Sequence, residues 1–396
     1  MNEITHSGIQ SMRFITSLLV IALISSQIIA DETSRARDWG IPFEGVPGPL
    51  NAITDVTGVE VGYSTIISGN GALTVGQGPV RTGVTAILPR GKNAEDPVYA
   101  GSFVLNGNGE MTGLDWVNES GFLEGPVMIT NTHSVGSVHE AVLKWQVKTG
   151  RFQSLWSLPV VGETWDGYLN DINGFHVTGE HVAQSLETAA SGPIMEGNVG
   201  GGTGMVCYEF KGGTGTSSRV MKTGAGTFTV GVLVQANFGR RHQLIIAGVP
   251  FGKTLTEHAP YTDGRDLYEE TGSMIAVVAT DAPLLPTQLK RIAARVSLGM
   301  ARTGSTSGNG SGDIFIAFST ANADSKSTAS GIATVSALSN EHISGLFSAT
   351  ALATEEAIIN AMVAAETMVG RDQHRVIELP KADVIQLLKR YKRHQR

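Results

Sequence analysis

The chain has 396 residues, 49 of them glycine, a single cysteine and a formal net charge of −7. With 41% hydrophobic and 16% charged residues it has the composition of a packed globular protein, long enough for two domains or one large layered domain. The acidic balance gives no support for nucleic-acid binding, which needs a basic surface, and Cys207 alone permits neither an internal disulfide nor a cysteine-based metal site.

Arg13 precedes the apolar run 14–30, and the polar stretch DETSRARD follows it. That order is the order of a secretory leader removed near Ala30, so the expected mature protein is exported to the periplasm and has no membrane segment. An uncleaved anchor or a buried core helix would show the same run. From Asn51 onward, short runs rich in Val, Ile and Thr alternate with Gly and Asn-Gly turns, in GVEVGYSTI, TGVTAILPRG, VYAGSFVLNGNGE and GPVMITNTHSVG, and read as strands. Helices are predicted over 138–148 and 179–190. A glycine-rich hinge, NVGGGTGMVCYEFKGGTGTSSR, then leads into a predicted strand pair, 226–239 and 242–252. Residues 253–272 are acidic and broken by Pro260 and Gly264, which reads as an exposed loop. Ser273 opens a strand of buried character, SMIAVVAT, followed by a helix over 287–302, a second glycine-rich segment and the strand IFIAFST. The C-terminal part is predicted to be helical from 340 to 369 with a break at 352–355, ending in a basic helix from Pro380. Strands in two groups with helices after them suggest sheets covered by helices.

Several chemistries fail on spacing. GVPFGKT lacks one of the four residues that a phosphate loop needs before its GK pair. The glycine clusters contain no G-x-G-x-x-G and are not followed by a helix, which leaves them as turns or places of close strand approach. No H-E-x-x-H occurs, His133 and His139 are not a helical i,i+4 pair, and no serine lies in G-x-S-x-G. His133 reads as a residue shaping a strand end, and Cys207 as a buried structural thiol.

The junction Thr271-Gly272-Ser273 carries more. A hydroxyl after a glycine, between an exposed loop and a buried strand, is what a self-cleaving amidohydrolase needs. Glycine tolerates a strained backbone that exposes its carbonyl, and Ser273 Oγ can attack it. Hydrolysis would free the Ser273 α-amine, whose ordinary pKa of about 7.7–8.0 suits a base for its own hydroxyl. An ordinary loop-to-strand turn has the same residues.

The blocks TDVTGVEVGYSTI, VGETWDGYLNDINGFHV, GGTGTSSR, TVGVLVQANFG, GSMIAVVATDAPLLPTQLKRIAARVSLGMARTG and SGDIFIAFST closely resemble, in order and spacing, those of the DmpA-like family. Its members are L-aminopeptidase/D-Ala-esterase/amidases and β-peptidyl aminopeptidases. The resemblance runs from about Arg35 to the C-terminal helices. It implies an α/β fold, an αββα four-layer sandwich of two packed sheets flanked by helices, like the N-terminal-nucleophile (Ntn) hydrolases but with its own connectivity. It implies self-cleavage between Gly272 and Ser273 of one hydrolase domain, 31–396, into an α chain, 31–272, and a β chain, 273–396.

By the same resemblance Ser273 is the nucleophile, Ser311 and Asp313 lie beside it, Asn237 holds the oxyanion and Tyr168 lines the site. The β-peptidyl branch carries Glu where this chain has Asp313, one methylene shorter. Recognition of a substrate ammonium calls for a carboxylate, for which Asp313 is the first candidate and Glu163 and Asp166 the others. The implied enzyme is a serine aminopeptidase acting on short peptides, amides or esters, needing no cofactor or metal and assembling as a homo-oligomer, a tetramer of αβ units. An acyltransferase of the ornithine acetyltransferase type is the nearest rival, although it normally uses Thr as nucleophile. An exported binding protein without catalysis is the other.

Overall fold

The computed structural model describes residues 34–151, 155–260, 272–323 and 331–395. The expected leader, and residues 261–271 of the expected loop, lie outside them. From Thr33 to Arg396 the chain is one compact unit.

In chain order the elements are β1 (Glu60–Ser68), β2 (Val80–Leu88), β3 (Val98–Val104), α1 (Leu114–Ser120), β4 (Phe122–Leu123), β5 (Val127–Asn131), α2 (Val135–Thr149), β6 (Val160–Thr164) and α3 (Gly179–Glu187). After them come β7 (Val206–Cys207), β8 (Phe210–Lys211), β9 (Gly213–Thr223), β10 (Gly226–Asn237), β11 (Ser273–Thr280), α4 (Pro286–Ala293) and α5 (Val296–Arg302). The last are β12 (Ile314–Ser319), α6 (Ser344–Val363), β13 (Met368–Val369), β14 (Arg375–Val376) and α7 (Lys381–Arg390). One sheet has the order β1-β2-β5-β6, a larger one the order β4-β3-β12-β11-β10-β9, and β7-β8 and β13-β14 are two short ribbons.

Strand alternation builds the four layers. On β11, Ile275, Val277 and Ala279 meet Ile87, Val127, Ile129 and Val160 of the other sheet, while Met274, Ala276 and Val278 face Leu289 and Ile292 of α4 and Ala353 and Ala357 of α6. The outer face of the smaller sheet, with Val84, Met128 and Val161, is covered by Val138 and Val142 of α2 and Val182 and Leu186 of α3. The αββα arrangement expected from the sequence is therefore the observed one. By the same alternation Ser273 on β11 and Asn237 on β10 point into the space between the sheets, at one end of the strands.

Four local expectations are corrected. The glycine-rich stretch 198–219 is no hinge, because its second half is the buried strand β9. A side chain on Gly215 would collide with the carbonyl oxygen of Ala357, so glycine lets α6 lie directly on the strand. The run 242–252 is not a strand. Ala247 (φ 51°) and Gly248 (φ 77°) turn it back on itself, with Ile246 bridging to Val249, and its apolar residues Leu244, Ile246, Val249 and Phe251 serve the core. The helix expected over 287–302 is two, α4 and α5, separated at Ala294 and Arg295. Helix α6 is unbroken across 352–355. It is long and apolar enough to cross a membrane, but it is buried among the other layers as a core helix, with Glu355 and Glu356 paired to arginines.

Candidate active site

Two strand pairings assemble the site. The antiparallel register of β10 and β11 places Asn237 opposite Ser273, and the parallel register of β11 and β12 (Ile275 with Ile314) brings residues 311–313 alongside Ser273 and Met274. Ser273 is 6% exposed, and its Oγ accepts a hydrogen bond from the Gly312 N–H at 3.1 Å. Asp313 Oδ1 accepts from the Met274 N–H at 3.0 Å and from the Ser311 hydroxyl at 2.8 Å. One carboxylate thus holds the backbone just after Ser273 and orients Ser311. The shorter Asp side chain reaches Ser311 directly.

Asn106 fixes the segment that carries these groups. Its Nδ2 donates to the carbonyls of Ser307 and Gly308, at 2.9 and 3.1 Å, and lies 3.5 Å from Asp313 Oδ2, while the Leu105 N–H donates to the Asp313 carbonyl at 2.9 Å. The Asn-Gly repeat at 106–109 was legible only as a turn. Its role as a brace depends on the β3-β12 pairing, which no local pattern announces.

Gly272 does not adopt the left-handed backbone that would make strain the reason for glycine. A Cβ there would collide with the carbonyl oxygen of Asn237, so the requirement is close approach. Thr271 lies outside the described residues.

The Asn237 side chain is held at its oxygen end. Its Oδ1 accepts from the Val206 N–H at 2.8 Å, and its Nδ2 donates one hydrogen to the Trp165 carbonyl at 3.0 Å. An amide NH2 has two donors. The geometry therefore fixes which end of the amide carries the N–H groups.

Glu163 is the penultimate residue of β6 and is 3% exposed. It accepts from the Glu110 N–H at 2.9 Å and from the Thr132 hydroxyl. Burial pushes its carboxyl up from the ordinary value, and these two hydrogen bonds oppose the shift. A Cβ on Gly109 would lie 3.1 Å from Glu163 Oε1 and 3.0 Å from Gly312 Cα, so the Gly109 backbone packs against both the carboxylate and the residue whose N–H holds Ser273. Asp166, 1% exposed, is placed differently. Its Oδ1 accepts from Asn170 Nδ2 at 2.9 Å, and burial raises its carboxyl to about 7 despite the Thr82 and Asn170 hydrogen bonds.

Tyr168 stacks on His374, with ring centroids 4.4 Å apart, and its hydroxyl donates to the Pro260 carbonyl at 3.0 Å. That carbonyl is the last described residue before 261–271. His133 lies in a turn capped by Asn131 and stacks on Phe175. Cys207 is fully buried, as expected.

The cluster joins a buried serine, an oriented amide donor, a carboxylate bracing the serine's strand and a second buried carboxylate across a glycine backbone. That set suits acyl transfer from a substrate bearing an amine. The chain matches peptidase family S58 over residues 51–376. It is 52% identical over 385 residues to the β-peptidyl aminopeptidase BapA of Sphingosinicella microcystinivorans, covering 94% of this chain and 97% of that one. Against BapA of Sphingosinicella xenopeptidilytica it is 46% identical over 381 residues, 94% of each chain. Its structure superposes on the L-aminopeptidase D-Ala-esterase/amidase of Ochrobactrum anthropi with a TM-score of 0.84 at 48% identity, over 91% of this chain and 99% of that one. That enzyme is described as a prototype of the serine aminopeptidases and a variant of the Ntn-hydrolase fold. The chain belongs to peptidase family S58 and is a serine aminopeptidase with the Ntn-hydrolase fold.

Proposed function

We propose that Ser273 is the nucleophile, freed by cleavage of the bond after Gly272, and that the enzyme removes an N-terminal β-amino acid from short peptides or amides. The observation that carries this reading is the Gly312 N–H on Ser273 Oγ, within one cluster that also contains Asn237 and Asp313. The serine hydroxyl gives its proton to the serine's own α-amine as Oγ attacks the substrate carbonyl. The oxyanion takes the spare N–H of Asn237. The amine then returns the proton to the leaving nitrogen as the C–N bond breaks, leaving an acyl ester on Oγ. Water, deprotonated by the same amine, hydrolyses that ester.

We assign the substrate ammonium to Glu163 because its carboxylate lies against the Gly109 backbone that also packs on Gly312, although, like Asp313 and Asp166, it already accepts hydrogen bonds within the protein. Because burial raises its pKa, recognition fails at a higher pH on acidification than an ordinary carboxylate would allow. The β-residue preference rests on the two relatives named as β-peptidyl aminopeptidases. The matched proteins are aminopeptidases, which does not favour the acyltransferase reading. The apolar run 14–30 supports export to the periplasm, and the family resemblance supports a homo-oligomer of αβ units.

A panel of p-nitroanilides of β-alanine, L-alanine and D-alanine tests the proposal. The β-alanyl substrate should give the highest kcat/KM, and Glu163→Gln should raise its KM about tenfold or more, as expected for loss of a charge-assisted pair. Equal turnover of all three substrates with an unchanged KM in the variant would remove both assignments.

A further inference from the structure

The turn between β13 and β14 directs three of its polar groups at one short target. The Arg371 N–H donates to the Leu169 carbonyl at 2.9 Å, Arg371 Nε donates to the Gly167 carbonyl at 2.8 Å, and His374 Nδ1 lies 2.8 Å from the Tyr168 carbonyl. A carbonyl only accepts, so Nδ1 carries the proton. Three successive carbonyls, those of 167, 168 and 169, are thus held from the same turn. A Cβ on Gly370 would collide with the Leu169 carbonyl, so the two backbones are in direct contact.

The turn is also strained. Asp372 and Gln373, neither of them glycine, have φ of 55° and 61°. Such strain persists only where surrounding contacts over-determine it. Here the contacts are the three above and a clamp on the other side, where the Asp372 N–H donates to the Gly71 carbonyl and the Leu73 N–H donates to Asp372 Oδ1, both at 2.8 Å. The product of the strained turn is the placement of the imidazole of His374, face to face with the phenol ring of Tyr168 at an interplanar angle of 11°.

We infer that His374 is a positioning residue for catalysis, acting through Tyr168. It holds Tyr168 at two points, the backbone carbonyl and the ring face, and the hydroxyl of the ring so held donates to the Pro260 carbonyl. The inference rests on the reading, implied by the family resemblance, that Tyr168 lines the active site; the ring packs on the cluster containing Val206, whose N–H holds Asn237 Oδ1. His374 lies downstream of Ser273 and Tyr168 upstream, so in the cut enzyme one chain would set a side chain of the other.

A double-mutant cycle on the full-length protein tests this, scored by kcat and KM on β-alanyl p-nitroanilide, with the extent of self-cleavage and Tm as controls. His374→Ala should lower kcat about tenfold, as expected for misplacement of a group at the reacting centre, with KM moved less. His374→Asn, which keeps an N–H near the position of Nδ1, should recover most of the loss. In a Tyr168→Phe background, itself impaired, His374→Ala should cost little more. An unchanged kcat in His374→Ala, or losses that multiply in the double variant, would overturn the inference while leaving Tyr168 in place. A Tyr168→Phe enzyme with full kcat would remove the role of Tyr168 and the inference with it. Should the alanine variant fail to fold, His374→Asn against His374→Phe decides instead. The inference requires Asn to retain more activity than Phe, and equal or reversed losses contradict it.

Discussion

The oxyanion role proposed for Asn237 depends on contacts away from the substrate. The Val206 N–H on Oδ1 decides the orientation of the amide, and the Trp165 carbonyl occupies one of its two N–H groups. Removing a preorganised donor of this kind costs about 3–4 kcal/mol of transition-state stabilisation, or roughly 10²–10³ in rate. Asn237→Ala should therefore lose about that much kcat with KM changed little, measured on a β-alanyl anilide, and a loss below about fivefold would count against the oxyanion role. In the sequence, Ser273 was legible as the first residue of a buried strand, β11. The reason for Gly272 was not. Local sequence suggested strain, whereas the actual constraint is the carbonyl of Asn237, 35 positions upstream. Glu163 and Asp166 likewise stand three residues apart and look equivalent in ETWDGY, yet one faces the 109–110 backbone and the other is tied to Asn170.

Between elements, glycine sets distances. Strands β9 and β10 are long and paired from Ala236 back to Gly226, and α6 lies across them with Gly215 against the Ala357 carbonyl. Gly215→Ala should destabilise the fold by about 1–3 kcal/mol, the range for overpacking a core. Thermal unfolding of the intact protein would read this as a lower Tm, and an unchanged Tm would show that α6 shifts freely. Strands β10, β11 and β12 were legible because their β-branched runs are bounded by turn residues. The run 242–252 misled because it is equally apolar. Its hydrophobicity serves core filling, and Ala247 in a left-handed conformation is a turn residue that no propensity marks. Helix α6 misled in the opposite direction. Residues 352–355 read as a helix break, and only the structure shows the helix running through them with Glu355 paired to Arg302.

Across the whole molecule, the segments on either side of Ser273 are not separable bodies. Strands β10 and β11 are neighbours in one sheet, and Glu356 of α6 binds three residues from the upstream segment. Its Oε1 accepts from Arg37 Nε and Asn51 Nδ2 at 2.7 and 2.6 Å, and its Oε2 accepts from Arg37 and Arg219 at 2.8 and 2.6 Å. Burial pushes the Glu356 carboxyl up, but the Arg37 and Asn51 hydrogen bonds and the Arg219 and Arg37 charges outweigh it and hold the carboxyl below the ordinary 4.5. A carboxylate with a depressed folded pKa contributes stability that is present above about 4.5 and is lost as pH falls through the folded value. Glu356→Gln should cost about 3–5 kcal/mol near neutral pH, because it leaves Arg219 buried without its partner. The difference from wild type should shrink in acid. A cost that does not vary with pH would show that the carboxylate's charge is not what holds the segments. The layered architecture was legible from strand and helix order together with the family resemblance, whereas the ionic tie between the segments on either side of Ser273 was not, since its members are up to 319 positions apart. The account turns on Ser273 becoming an N-terminus. Intact mass of the purified wild-type protein under denaturing conditions should give two chains, the second beginning at Ser273, while Ser273→Ala gives one inactive chain. A wild-type enzyme that hydrolyses β-alanyl p-nitroanilide as a single uncut chain would contradict the account.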